Sequence, residues 1–140
     1  MMSNNGAGVV ALTIPARAEF VALCRLALTG LARTRALRPE VVADLKLALT
    51  EACSNSIRHA YKDGHDGIVE IRYELRPDRI EVEVADDGYG FDPTLIDRPP
   101  EEVDEGGLGI AIIRAVTDEL DIAPGPDGQG SRLRFIKYLN

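Results

Sequence analysis

Glu51-Ala52-Cys53-Ser54-Asn55-Ser56-Ile57-Arg58-His59-Ala60-Tyr61 closes a helical pattern, and its polar positions decide how the chain is read. Val42, Leu45, Leu49, Ala52, Cys53 and Ile57 recur at spacings of three and four, which predicts a helix from Glu40 to His59. Pro39 suits its first turn, and Glu40 complements the positive end of its dipole. Glu51, Asn55 and Arg58 fall at i, i+4 and i+7, one stripe beside the apolar one. A carboxylate and an amide oxygen on one rigid face can orient water and ligate a hard cation such as Mg²⁺. The same stripe could equally be a solvated flank.

Outward from this helix, the patterns are short and varied. Val9 to Ile14 reads as a strand closed by Pro15, and Ala16 to Thr34 as a helix that Gly30 weakens near its end. After a turn cluster at Lys62 to Gly67, residues 68–75 alternate with period two, as do 80–85. The two form a hairpin around Arg76-Pro77-Asp78-Arg79 with one wet face. A Gly-, Pro- and acid-rich stretch from Asp86 to Gly109 follows, and connections that long are usually functional. A third helix is expected from Leu108 to Leu120, a short strand at Asp121 to Ala123, a turn to Gly130, and a last strand from Ser131 to Tyr138. The order is βααββαββ. It predicts an α/β two-layer sandwich, a mostly antiparallel sheet covered on one face by three helices.

The chain has 140 residues, enough for one domain and too few for two. Residues 1–8 are expected to form a tail. No apolar run reaches membrane-spanning length, and no secretory leader is visible, so a cytoplasmic protein is expected. The formal net charge is −7, which argues against nucleic acid as a partner. The charge is uneven: residues 1–60 carry 7 basic and 4 acidic side chains, and residues 61–140 carry 9 and 19. Any basic face therefore belongs to the first half. The 2 cysteines, Cys24 and Cys53, sit in apolar helical patterns and read as buried free thiols. No Cys/His cluster, calcium loop or P-loop occurs.

Two further segments have chemical content. Asp86-Asp87-Gly88-Tyr89-Gly90-Phe91 follows a strand; alternate glycines let backbone approach a flat ligand, and the acid can accept from an exocyclic amine. A plain turn would have the same composition. Glu105-Gly106-Gly107-Leu108-Gly109-Ile110 opens the third helix, where backbone amides can bind phosphate oxygens.

Taken together, Glu-x-x-x-Asn on a helix, Asp-x-Gly-x-Gly after a strand, Gly-x-Gly opening a helix and Gly130-Ser131 opening the last strand resemble the ATP-binding fold of the gyrase, heat-shock-90, histidine-kinase and MutL superfamily. Within it, Asp44 to Ala48, Glu51-Ala52-Cys53 and His59-Ala60-Tyr61-Lys62 look most like the anti-sigma factor serine kinases of the anti-sigma-B type. The resemblance spans nearly the whole chain. It implies ATP and Mg²⁺ as cofactors, with Asn55 holding the metal and Glu51 taking the proton from a substrate serine. Asp86 would bind the adenine amine above Gly88 and Gly90, Gly107, Leu108 and Gly109 would meet the phosphates, and residues 92–106 would form a lid. Ser131 stands near the adenine where the family often has threonine, and Ala111 lies near a position where sporulation-type relatives carry a hydroxyl. Arg25 matches a helix arginine used for protein contacts. The implied partners are a sigma factor and an anti-anti-sigma antagonist phosphorylated on serine or threonine, with the kinase itself a homodimer.

His59 could suggest a phosphoacceptor, but no dimerisation helices precede it, and a packed or capping histidine is the expectation. The rivals are an ATP-binding module that binds partners without phosphorylating them, and a gyrase-type ATPase, which would need a transducer domain.

Overall fold

The computed structural model describes residues 8–60, 67–87, 105–124 and 130–139. Five strands, β1 (Gly8–Pro15), β2 (Ile68–Arg76), β3 (Arg79–Asp86), β4 (Glu119–Pro124) and β5 (Ser131–Tyr138), pair in the order β1-β2-β3-β5-β4. Every pairing is antiparallel. Three helices, α1 (Val21–Arg35), α2 (Pro39–Ala60) and α3 (Glu105–Val116), make the second layer. The order βααββαββ holds, with one addition. The chain makes a 3-10 turn at Ala18–Phe20, so α1 begins five residues later than the sequence pattern suggests.

The third helix differs more. It starts at Glu105 and stops at Val116, and Leu120 belongs to β4. The helical periodicity runs on past Val116 because Leu120 and Ile122 are also apolar. They pack on the core from a strand paired to Phe135 and Leu133. Sheet pairing overrides the local period here. Residues Glu105 and Gly106 consequently belong to a helix rather than to the expected lid.

Alternation in β2, β3 and β5 sends Val69, Ile71, Tyr73, Leu75, Val82, Val84, Leu133 and Phe135 into the core against Leu28, Leu45, Leu49 and Ile113. Cys24 and Cys53 are both buried there as free thiols. Their mutual hydrogen bond and burial push the Cys53 thiol far up, so it stays protonated and unreactive. Tyr73 donates its hydroxyl to the Cys24 carbonyl at 2.8 Å, tying the sheet to α1. Lys137 Nζ reaches both Asp44 Oδ2 and the Val116 carbonyl at 3.1 Å, joining β5 to α2 and α3.

The opposite sheet face is wet and ionic. Glu81 on β3 is buried beneath arginines; Arg134 Nη2 stands 2.5 Å from Oε1 and Arg79 Nε donates to Oε2 at 2.7 Å. Burial by itself would raise this carboxyl, but the hydrogen bonds from Arg134 and Arg79 outweigh it and hold it below the usual carboxylate range. A carboxyl depressed in the folded state contributes stability that is complete above its unfolded pKa and lost as pH falls through its folded one. Glu81→Gln should therefore lower the unfolding midpoint at neutral pH and flatten its decline toward acid. Thermal melts across acid pH check this; an acid limb as steep as the parent's would contradict it.

Candidate functional site

α2 is long because no glycine and no proline after its first residue interrupts residues 39–60. Its C-terminal part reaches one defined end of the sheet. Ile57 and Arg58 line a cavity with Ala16 and Arg17, and the Ala16 amide donates to the Gly67 carbonyl just before β2. From there the register runs across the same sheet end: Val69 opposite Asp86, and Asp86 opposite Ser131. Asn55 and Arg58 of α2, Asp86 of β3 and Ser131 of β5 thus share one end of the molecule.

The α2 wall faces α3. Asn55 is 1% exposed, and Glu51 is half-buried one turn earlier. Gly109 of α3 lies directly against both. A Cβ built on Gly109 would stand 3.0 Å from Glu51 Oε1 and 3.1 Å from Asn55 Nδ2. The glycine is what allows the two side chains to occupy that space. Asn55 Oδ1 accepts from Arg58 Nη2 at 2.5 Å, while the buried Nδ2 has no partner among the described residues. An amide oxygen has two acceptor sites, so Oδ1 keeps one beyond Arg58. A buried amide donor without an acceptor is costly to fold around.

On the sheet, Asp86 ends β3 and is 9% exposed. Ser131 Oγ donates to its Oδ2 at 2.5 Å, which fixes the carboxylate's orientation. Gly130 precedes Ser131 with φ +69°, and a Cβ there would collide with the Asp86 carbonyl, so glycine is required on both counts. The pairing explains why serine suffices where a larger hydroxyl residue is expected: its oxygen already reaches the carboxylate. Leu108 is 48% exposed at the start of α3. Arg25, half-buried on α1, donates from Nη1 to Thr50 Oγ1 at 3.4 Å, beside Glu51 in sequence and apart from the sheet-end residues.

The structure therefore brings Glu51, Asn55 and Gly109 together and sets Asp86 with Ser131 at the same end. Gly88 and Gly90, most of the expected lid and the His59 side chain lie outside the described residues, and Gly107 is placed by its backbone in α3. Arg58 was visible on the sequence stripe but carried no role; its contact with Asn55 needs the i, i+3 geometry of a formed helix. Among the described residues, no cluster of three or more His, Cys, Asp or Glu side chains could hold a metal alone. Magnesium needs no such cage: one or two protein oxygens with substrate phosphates suffice. Glu51 and Asn55 fit that donor set.

Gly109→Ala separates folding from function. Alanine favours the α3 helix by about 1 kcal/mol over glycine. Yet its methyl would press the Glu51 and Asn55 side chains aside. The expected result is an unchanged or higher melting temperature with at least a tenfold loss of ATP-dependent activity. Parental activity in the variant would mean that Glu51 and Asn55 need not hold these positions.

The family of histidine kinase-like ATPase domains matches residues 14–137. The chain is 34% identical over 146 aligned positions to the serine-protein kinase RsbW of Bacillus subtilis (strain 168), covering 98% of this chain and 89% of that one. Identity to the serine-protein kinase RsbW of Bacillus pumilus (strain SAFR-032) is also 34%, over 148 positions, 98% of this chain and 90% of the other. Among solved structures, the RsbU and RsbW domains of Rv1364c from Mycobacterium tuberculosis align with a TM-score of 0.64 at 16% identity, over 94% of this chain and 32% of that one. At that identity the match speaks for the fold alone. The Erythrobacter litoralis EL346 blue-light activated histidine kinase aligns with a TM-score of 0.58 at 27% identity, over 74% of this chain and 32% of its own. The chain belongs to the histidine kinase-like ATPase family. Within that family it falls with the serine-protein kinases of the RsbW type.

Proposed function

We propose that this protein is an anti-sigma factor that withholds a sigma factor from RNA polymerase and, using Mg-ATP, phosphorylates a serine of an anti-anti-sigma antagonist. Phosphorylation would stop the antagonist from binding. The observation that carries the phosphotransfer reading is the packing of the Glu51 carboxylate and the Asn55 amide side by side against Gly109 of α3.

The residues divide the work. Asp86, oriented by Ser131, would accept from the adenine amine. The first turn of α3 would offer backbone amides to the phosphates. Asn55 Oδ1 would hold magnesium, which when bound supplies positive charge against the phosphate oxygens. Glu51 would accept the serine proton as the serine oxygen bonds to the γ-phosphorus and the bridge to the β-phosphate breaks, releasing ADP. Arg58, bonded to Oδ1, would keep the amide oxygen pointed out of the helix. The test is transfer of labelled phosphate from Mg-ATP to the cognate antagonist. A protein that binds its antagonist and transfers nothing to it is a binding module and not a kinase.

Arg25 would contact the partner proteins. It lies on α1 between Leu23 and Leu26, which are 48% and 65% exposed, a guanidinium flanked by apolar surface. A planar fork suits the carboxylates of an acidic patch. Arg25→Glu should weaken sigma binding by tenfold or more and leave ATP affinity unchanged; co-elution with sigma at parental strength would refute the assignment. A homodimer is part of the proposal, checked by sedimentation. Among the described residues no helix is long and apolar enough to cross a membrane, and the cytoplasm, where sigma factors act, is the proposed location.

A further inference from the structure

α1 and α2 form a hairpin that reverses over Ala36, whose φ of 51° is left-handed. Small side chains on both helices leave a trough between them. Ala32, Ala36 and Ala43 make it wide, Leu37 and Val42 make its floor apolar, and its volume is about 600 Å³. Leu26 stands one turn before the trough's Thr29 on α1, and Leu47 one turn after its Ala43 on α2; the two leucines are 65% and 42% exposed, so the apolar stripe continues past the trough. It ends where Arg25 bonds to Thr50. From Arg25 to Ala36 the helix rises roughly 16 Å at 1.5 Å per residue, the length of three helical turns.

The rims are basic. Arg33 on α1 and Lys46 on α2 line the trough, and neither has an ion-pair partner among the described residues. Residues 21–50 hold 5 basic side chains (Arg25, Arg33, Arg35, Arg38, Lys46) and 2 acidic ones (Glu40, Asp44), a balance of +3 in a chain of −7, with Arg35 turned away to the Leu75 and Arg76 carbonyls of β2. One of those acids, Asp44, is engaged by Lys137 on the other side of α2.

We propose that this trough is a second protein-docking surface whose occupant is an amphipathic helix of another protein, apolar on one face and carboxylate-rich along its edges. An apolar stripe of three turns matches helix-in-groove recognition, and the paired basic rims select the sign of the flanking charge. A second copy of this chain fits poorly, because two-fold pairing through the trough would bring two Arg33 and two Lys46 together. Nucleic acid fits poorly because the floor is alanine, leucine and valine. The inference does not depend on phosphotransfer, since neither Glu51, Asn55 nor Asp86 borders the trough.

The probe is a synthetic amphipathic peptide of about 15 residues with a leucine stripe flanked by glutamates, compared with a lysine-flanked twin. Binding to the unaltered protein is read by fluorescence anisotropy and mapped by amide chemical shifts. The glutamate peptide should bind, with shifts centred on Thr29, Ala32, Ala36 and Ala43, and the lysine twin at least tenfold more weakly. Arg33→Glu with Lys46→Glu should invert that preference, and Ala43→Trp, which fills the trough, should abolish it; all three positions are at the surface. Absence of saturable glutamate-peptide binding, equal affinity for the twin, or shifts centred elsewhere would overturn the proposal. So would concentration-dependent self-association that Ala43→Trp removes, which would make a second copy the occupant.

Discussion

Glu51→Ala is expected to slow phosphate transfer to the antagonist by about 10²–10⁴-fold, the contribution of a positioned general base. A serine hydroxyl is a poor nucleophile at neutral pH, and the barrier drops when its proton has somewhere to go as the O–P bond forms. Glu51 is half-buried one helical turn before Asn55, with Oε1 beside Gly109 at the opening of α3. In the proposed site its carboxylate would face the phosphates while Asp86 holds the base. Because Glu51 has no ion pair among the described residues, its removal should leave folding, ATP affinity and sigma binding close to parental. Single-turnover transfer of labelled phosphate, with calorimetry for ATP, separates the two effects. Transfer at the parental rate would leave the kinase assignment standing and move the base to another residue. Loss of ATP affinity in parallel with rate would instead make Glu51 a binding residue.

Asp86→Asn is expected to weaken ATP binding by 1–3 kcal/mol, roughly 5- to 150-fold, the cost of a buried polar mismatch. The carboxylate accepts only, and an amide in its place would turn a donor toward the adenine amine or toward Ser131. Ser131 Oγ donates to Oδ2 at 2.5 Å, so it would hold the remaining oxygen of the asparagine and leave the amide nitrogen facing the base. Partner binding that needs no nucleotide should persist. Unchanged ATP affinity by calorimetry would reject Asp86 as the adenine contact. A guanine nucleotide gaining affinity in the variant would support it, since guanine carries a carbonyl oxygen at the ring position where adenine carries its amine.

Much of this architecture was legible in the residues. Period-two alternation in 68–75 and 80–85 defined the hairpin because one face of an antiparallel sheet is wet and the other dry. Pro39 and Glu40 marked the start of α2 because an N-terminus tolerates a missing donor and favours an acid. The boundary of α3 with β4 was not legible. Leu120 satisfies a helical stripe and a strand equally, and its pairing with Phe135 across the sheet decides between them. Arg58 was visible as a position and not as a partner of Asn55, since a 2.5 Å contact depends on rotamers that spacing does not specify.

The sequence by itself determined the elements, their order, and which residue types could do chemistry: an acid and an amide four apart on a helix, and an acid ending a strand. These follow from local physics, the helical repeat and the strand alternation. Only the tertiary structure decided which of them lie side by side. The register placing Asp86 opposite Ser131 joins residues 45 positions apart, and the packing of Gly109 on Glu51 and Asn55 joins segments more than 50 apart. Contacts over such separations are set by how a whole layer of helices settles on a whole sheet. The same packing left the basic trough between α1 and α2, where alanines chosen for close approach expose a surface that neither helix shows alone.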